Sequence, residues 1–240
     1  MLNLVWLFVS FIGGVTASVA GFGIGSLLTP ALASRFDIAD AILAVSIPHA
    51  VATALRAWRL RKSVDLRVLK GFGIASAFGG LLGALFLFAA ESHARTILGV
   101  LLIATGAAGL TGWNRRIQPR GLVSTTLGGL SGLFGGIAGN QGGLRAAAMM
   151  RFDLSPAAFV ATSTAVGLMV DAGRLPVYIA RGSGRIVDLA VPIAIATVGV
   201  IAGTLAGERI LLRLSRDRFT RIVSALITLL GLWVMIYRPS

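Results

Sequence analysis

The chain has 240 residues, of which 56% are hydrophobic and 13% charged, with a mean hydropathy of +0.87. That is more apolar surface than one soluble core can bury, so composition excludes an ordinary soluble enzyme and makes a lipid bilayer the expected solvent. The net charge of +13 would in a soluble chain suggest nucleic-acid binding, but the 22 Lys and Arg fall almost wholly between apolar runs, where they report orientation against anionic headgroups; no nucleic-acid partner is expected.

Eight apolar runs follow one another, at 4–33, 39–58, 68–90, 96–113, 122–150, 157–180, 186–206 and 222–237. They are long, unbroken and rich in Gly and Leu, unlike the short alternating stretches of a transmembrane barrel, so the expected fold is an all-α polytopic membrane protein. The first run has no Lys or Arg ahead of it and is read as mature protein, although Ala17-Ser18-Val19-Ala20 has the small residues of a cleavage site. It is interrupted at Ala20-Gly21-Phe22-Gly23-Ile24-Gly25, followed by Ser26 and Thr29-Pro30, where the proline alone would kink an ordinary span. In the second run, Ser46, Pro48 and His49 form a polar patch whose hydroxyl is expected to bond its own helix. Ala54-x-Arg56 holds the place in this run that Arg174 holds in the sixth, which would set two arginines near a pseudo-symmetry axis; the favoured expectation is that Arg56 snorkels to the surface with Arg59 and Arg61.

The third run carries Gly79-x-x-x-Gly83, a small-residue packing pattern. The fifth is interrupted at Gly135-Gly136-Ile137-Ala138-Gly139-Asn140-Gln141-Gly142-Gly143, and the adjacent amides are costly in an apolar run unless paired or used. Thr162-Ser163-Thr164 in the sixth run answers the polar patch of the second. Asp171 and Arg174 lie three residues apart there, either as an intrahelical ion pair or as functional charges. The seventh run carries Gly199-x-x-x-Gly203. These two glycine patterns serve packing within one protomer or across a homodimer equally well.

The order of these features is duplicated. Arg35-Phe36-Asp37 recurs as Arg151-Phe152-Asp153, Val64-Asp65-Leu66 as Val187-Asp188-Leu189, and the glycine pair of the third run as that of the seventh. The chain therefore divides into repeats at 1–118 and 119–240 within one membrane domain. If all eight runs cross the bilayer, 12 basic residues lie inside and 9 outside; if the first and fifth runs dip in and return, the balance becomes 16 against 5. The second arrangement obeys the positive-inside rule and makes the halves inverted-topology repeats, with Arg56–Lys70, Arg115–Arg120, Arg145 with Arg151, and Arg209–Arg221 on the cytoplasmic side.

Unwound backbone at membrane depth is tolerated where it lines a polar cavity, and a half-helix beginning there aims free N–H groups and a positive dipole end at the midplane. The expected anion site is Gly21, Gly23, Gly25, Ser26 and Thr29 from the first break and Gly139, Asn140, Gln141, Gly142 and Gly143 from the second, with Arg174 as counter-charge. Asp171 and His49 are coupling candidates. Close packing of small residues is the competing explanation for the glycines. Cysteine is absent, and no HExxH, phosphate loop, paired intramembrane carboxylates or Cys/His cluster occurs, so no enzyme, metal or cofactor is expected.

Ala20-Gly21-Phe22-Gly23-Ile24-Gly25-x4-Pro30, its relative around Gly139–Gly143, and Arg174-x3-Tyr178-x-x-Arg181 leading into Val187-Asp188 resemble the TauE/SafE family of sulfite and organosulfonate exporters. The resemblance covers essentially the whole chain. It implies gradient-driven export of sulfite, sulfoacetate-like or related anions across a bacterial inner membrane. The family's glycine run is denser than Gly23-Ile24-Gly25-Ser26, and the second copy ends in Arg145-Ala146 without a proline, which leaves the substrate open. An importer, a carrier of a carboxylate or other oxyanion, and a non-transporting membrane anchor or regulatory subunit remain the alternatives.

Overall fold

A computed structural model of the chain describes residues 2–33, 35–36, 38–85, 91–112, 119–137, 141–182 and 186–236. The regular elements among them are helices. They are α1 Leu2–Ala20, α2 Ile24–Ala33, α3 Ile38–Leu60, α4 over 66–85, α5 Glu91–Leu110, α6 Leu122–Ile137, α7 Gln141–Met149, α8 Pro156–Gly182, α9 Ala190–Leu211 and α10 Arg216–Ile236. Among the described residues, three stretches are long and apolar enough to cross a membrane: Asn3–Ala20, Leu66–Gly83 and Ala190–Leu211, with mean hydropathies of 1.7, 1.2 and 1.9. Their outward faces are apolar, as with Leu4, Val5 and Phe8 on α1, Phe78, Leu81 and Leu82 on α4, and Val191 and Val198 on α9. Polar Arg56, Arg145, Thr162, Ser163 and Asp171 are buried instead, the distribution of a protein whose solvent is hydrocarbon.

The first apolar run is two helices. Gly21 and Gly23 take φ of +79° and +133°, conformations that side-chain-bearing residues rarely adopt, and the helix that stops at Ala20 restarts at Ile24. The fifth run is likewise two helices, α6 and α7, with Gly139 and Asn140 outside the described residues. In α4 the carboxylate of Asp65 accepts from the amides of Arg67 and Val68, which starts the helix. A wider π turn at Leu69–Gly73 then carries Phe72 against Phe152, with ring centroids 5.7 Å apart.

The helices pair across the halves: α1 lies along α9, α6 along α4, α5 along α10 and α3 along α8. Glycine makes these seams close. A methyl group on Gly203 would overlap the Phe11 carbonyl oxygen, and one on Gly79 would overlap that of Gly129. Both small-residue patterns therefore pack within one protomer, at Gly79 and at Gly199 with Gly203.

Two apolar clusters lie at opposite ends of the bundle. One joins Leu60, Val68, Met149, Leu154, Leu211 and Phe219, bringing together the end of α3, the start of α4, the chain after α7, the end of α9 and the start of α10. At this end Arg59 pairs with Glu208 and Arg216 with Asp153. The other cluster joins Trp6, Leu28, Leu32, Ala41, Leu43 and Leu189, and the Trp6 ring packs at a tilt against Phe36 with centroids 5.7 Å apart. The start of α1 and the chain following α2 are thus neighbours.

Candidate functional site

Between the two clusters the polar side chains converge on the break between α1 and α2. Gly21 is buried, and its carbonyl accepts a hydrogen bond from Ser163 Oγ of α8 at 3.3 Å. The same hydroxyl accepts from Arg145 Nε of α7 at 3.1 Å. Arg145 is only 6% exposed, and its guanidinium lies against α8 at Gly167, where a Cβ would stand 3.1 Å from Nη2. The start of α7 reaches the first break directly, since a Cβ on Gly142 would lie 2.8 Å from Phe22 Cβ. The two glycine-rich breaks therefore touch.

On the other side of the centre, α3 contributes Thr53 and Arg56. Arg56 is 4% exposed; its Nη2 donates to Thr53 Oγ1 at 3.3 Å, while Nε and Nη1 are buried without a hydrogen-bond partner. Its charge lies within electrostatic reach of Arg145 and of Asp171. His49, two turns before Arg56 on α3, has Nδ1 2.8 Å from Asp171 Oδ2, and Thr53 Oγ1 lies 3.5 Å from the same ring nitrogen. Helix α3 of the first half and the consecutive helices α7 and α8 of the second thus bring together two arginines, one carboxylate and one imidazole. A buried cation favours an anion, and two that repel each other favour it more.

Of the residues expected from sequence, Gly21, Gly23 and Gly143 are buried, and Gly25, Ser26, Thr29 and Gly142 are half-buried at the starts of α2 and α7. A Cβ on Gly25 would meet open space, whereas one on Gly143 would strike Leu230 of α10, so Gly143 serves packing. Gly139, Asn140 and the side chains of Gln141 and Arg174 lie outside the described residues. Asp171 and His49, expected separately, are brought together.

Three expectations are corrected. Arg56 does not reach the surface: Arg59 and Arg61 are exposed, but Arg56 lies a turn deeper, where α3 is covered by α8 and α9. Arg145 is not a loop residue like Arg151, because α7 begins at Gln141 and carries it into the interior. The hydroxyls of the two polar patches also differ. Ser46 bonds its own helix at Leu43 O, 2.7 Å away, while Thr162 accepts from the Asp65 amide at 2.9 Å and Ser163 bridges Arg145 to Gly21.

A signal for Arg145 was present in the duplication. It precedes Arg151-Phe152-Asp153 by the same interval at which Thr29 precedes Arg35-Phe36-Asp37, so it occupies the place of a residue already counted as a candidate. Among the described residues, no group of three or more His, Cys, Asp or Glu side chains lies together as metal ligands would. The comparison with known families matches residues 6–234 to the family described as sulfite exporter TauE/SafE. No curated protein and no solved structure matches the chain.

Proposed function

The chain belongs to the sulfite exporter TauE/SafE family, and from that premise we propose that it is a secondary exporter with its substrate site where the two helix breaks meet. The family's members are membrane transporters of sulfite or related anions, not enzymes. In our reading the substrate is sulfite or an organosulfonate of the sulfoacetate type, and the protein is a multi-pass component of a bacterial inner membrane. The observation that carries the site is the bonded series from buried Arg145 through Ser163 to the Gly21 carbonyl. It links a cation of the second break to the backbone of the first. In this reading the first break contributes Gly21, Gly23, Gly25, Ser26 and Thr29 to the site and the second Gly139, Asn140, Gln141 and Gly142, with Arg174 as a further counter-charge. The starts of α2 and α7 add positive dipole ends. His49 and Asp171, in contact, are the coupling pair. Normal sulfite flux in each of Asn140→Ala, Gln141→Ala and Arg174→Ala would remove these residues from the site.

The same reading makes the halves inverted repeats whose broken helices re-enter. The reciprocal pairing of α1 with α9 and α6 with α4 supports it, because each half lends its broken helix to the other half's third apolar run. The packing of Trp6 against Phe36 supports a return of the first run to the side on which it began. The Arg59–Glu208 pair supports a common cytoplasmic side for the ends of α3 and α9, which eight simple crossings would separate. The chain has no cysteine, so single introduced thiols report topology cleanly. Asn3→Cys and Arg35→Cys are expected to label from one side of the membrane and Ser215→Cys from the other; labelling of the first two from opposite sides would contradict re-entry. Rocking of one repeat against the other then alternates access to the centre.

A further inference from the structure

Among the described residues, Arg56 is a buried charge with unpaired donors. A guanidinium carries five N–H donors and no acceptor, and burying it without partners costs several kcal/mol. Here Thr53 Oγ1 takes one bond at 3.3 Å, and Nε and Nη1 are buried with none. Arg145 adds a second positive charge nearby, whereas Asp171 supplies the opposing charge and also contacts His49. With His49 neutral, the named groups of the centre leave one net positive charge enclosed in a protein surrounded by lipid. The unpaired donors call for oxygen acceptors that none of the described residues provides.

We propose that Arg56 and Arg145 are a pair of substrate-binding residues that hold one compact oxyanion between α3 and α7. Arg56 approaches from α3 with its unpaired N–H groups, and Arg145 from α7, its orientation fixed by Ser163. Both guanidinium groups are less than a tenth exposed, so an anion bound there exchanges water for charge-assisted hydrogen bonds. Asp171 limits the excess charge and keeps the empty centre tolerable. The inference rests on the functional reading only in equating this anion with the transported substrate; the pairing itself stands on the burial of both arginines and the unpaired donors of Arg56.

The test compares thermal unfolding of the full chain in nanodiscs as wild type, Arg56→Gln, Arg56→Lys and Arg61→Gln, each titrated with sulfite, sulfate or acetate at constant ionic strength. Sulfite counterflow in proteoliposomes is measured beside it. Sulfite is expected to raise the unfolding temperature of wild type and Arg61→Gln saturably, while Arg56→Gln needs roughly tenfold more or greater. Without anion, Arg56→Gln is expected to unfold no lower than wild type, because it loses an unpaired buried charge. Arg56→Lys keeps the charge but loses the planar fork and is expected to fall between them; it also carries the test if Arg56→Gln does not fold. An unchanged sulfite midpoint in Arg56→Gln or Arg56→Lys, or a wild type that no oxyanion stabilises, overturns the proposal. Loss of the anion effect in Arg56→Gln together with absent wild-type counterflow keeps the pair and removes the transporter reading. An unchanged midpoint with normal wild-type counterflow does the reverse.

Discussion

The seam between α1 and α9 and the centre around Arg145 are both buried, yet they are built from opposite materials. At the seam, Gly199, Gly203 and Gly207 bring one helix backbone against the Leu7, Phe11 and Val15 backbone of the other, and Ser18 Oγ donates to Thr204 O at 3.0 Å. Nothing there is charged. The centre instead holds Arg56, Arg145 and Asp171 in an arrangement that helix packing does not require. In lipid the hydrophobic effect does not drive helices together, so close backbone approach must hold the scaffold while a polar centre is kept for use.

The largest expected effect breaks the seam. Gly203→Val places a branched side chain on the Phe11 carbonyl and should cost roughly 3 kcal/mol or more, read as a fall in unfolding temperature and in monodisperse yield. Arg145→Gln should do the opposite, leaving yield near wild type while lowering sulfite flux at least roughly tenfold, because a charge-assisted contact to the anion is lost. Ser163→Ala lies between the two. It removes the bond from Arg145 and the bond to Gly21 O, and should cost about 1–2 kcal/mol of stability with a partial loss of flux. The smallest effect belongs to Arg59→Gln. Arg59 is solvent-exposed and pairs with Glu208 at the bundle end, so neither unfolding temperature nor flux should change measurably, which sets the baseline for the others.

Much of the scaffold was legible because hydrocarbon and glycine leave direct marks on sequence. The apolar runs gave the helices, and Gly21 and Gly23 gave the first break, since only glycine readily takes the backbone conformations found there. Half of the centre was legible for a related reason: His49 and Asp171 are rare polar residues in apolar runs, and they meet. Arg56 was legible only as the lesser alternative: its match to Arg174 pointed inward, but Arg56, Arg59 and Arg61 look alike as a basic cluster at the end of a span. Which of them is covered depends on where α8 and α9 cross α3, a tertiary fact. Arg145 was hidden by its nearness to Arg151, which made both look like loop charges. Ser163 was hidden because a hydroxyl on a membrane helix usually bonds its own backbone, and this one bonds across to Gly21.

The most direct test of the central claim is counterflow of radiolabelled sulfite and sulfoacetate in proteoliposomes holding the purified chain, with Arg145→Gln and Arg59→Gln alongside. An anion site at the meeting of the two breaks requires saturable uptake in wild type and Arg59→Gln and its loss in Arg145→Gln. Equal uptake in Arg145→Gln and wild type would contradict it.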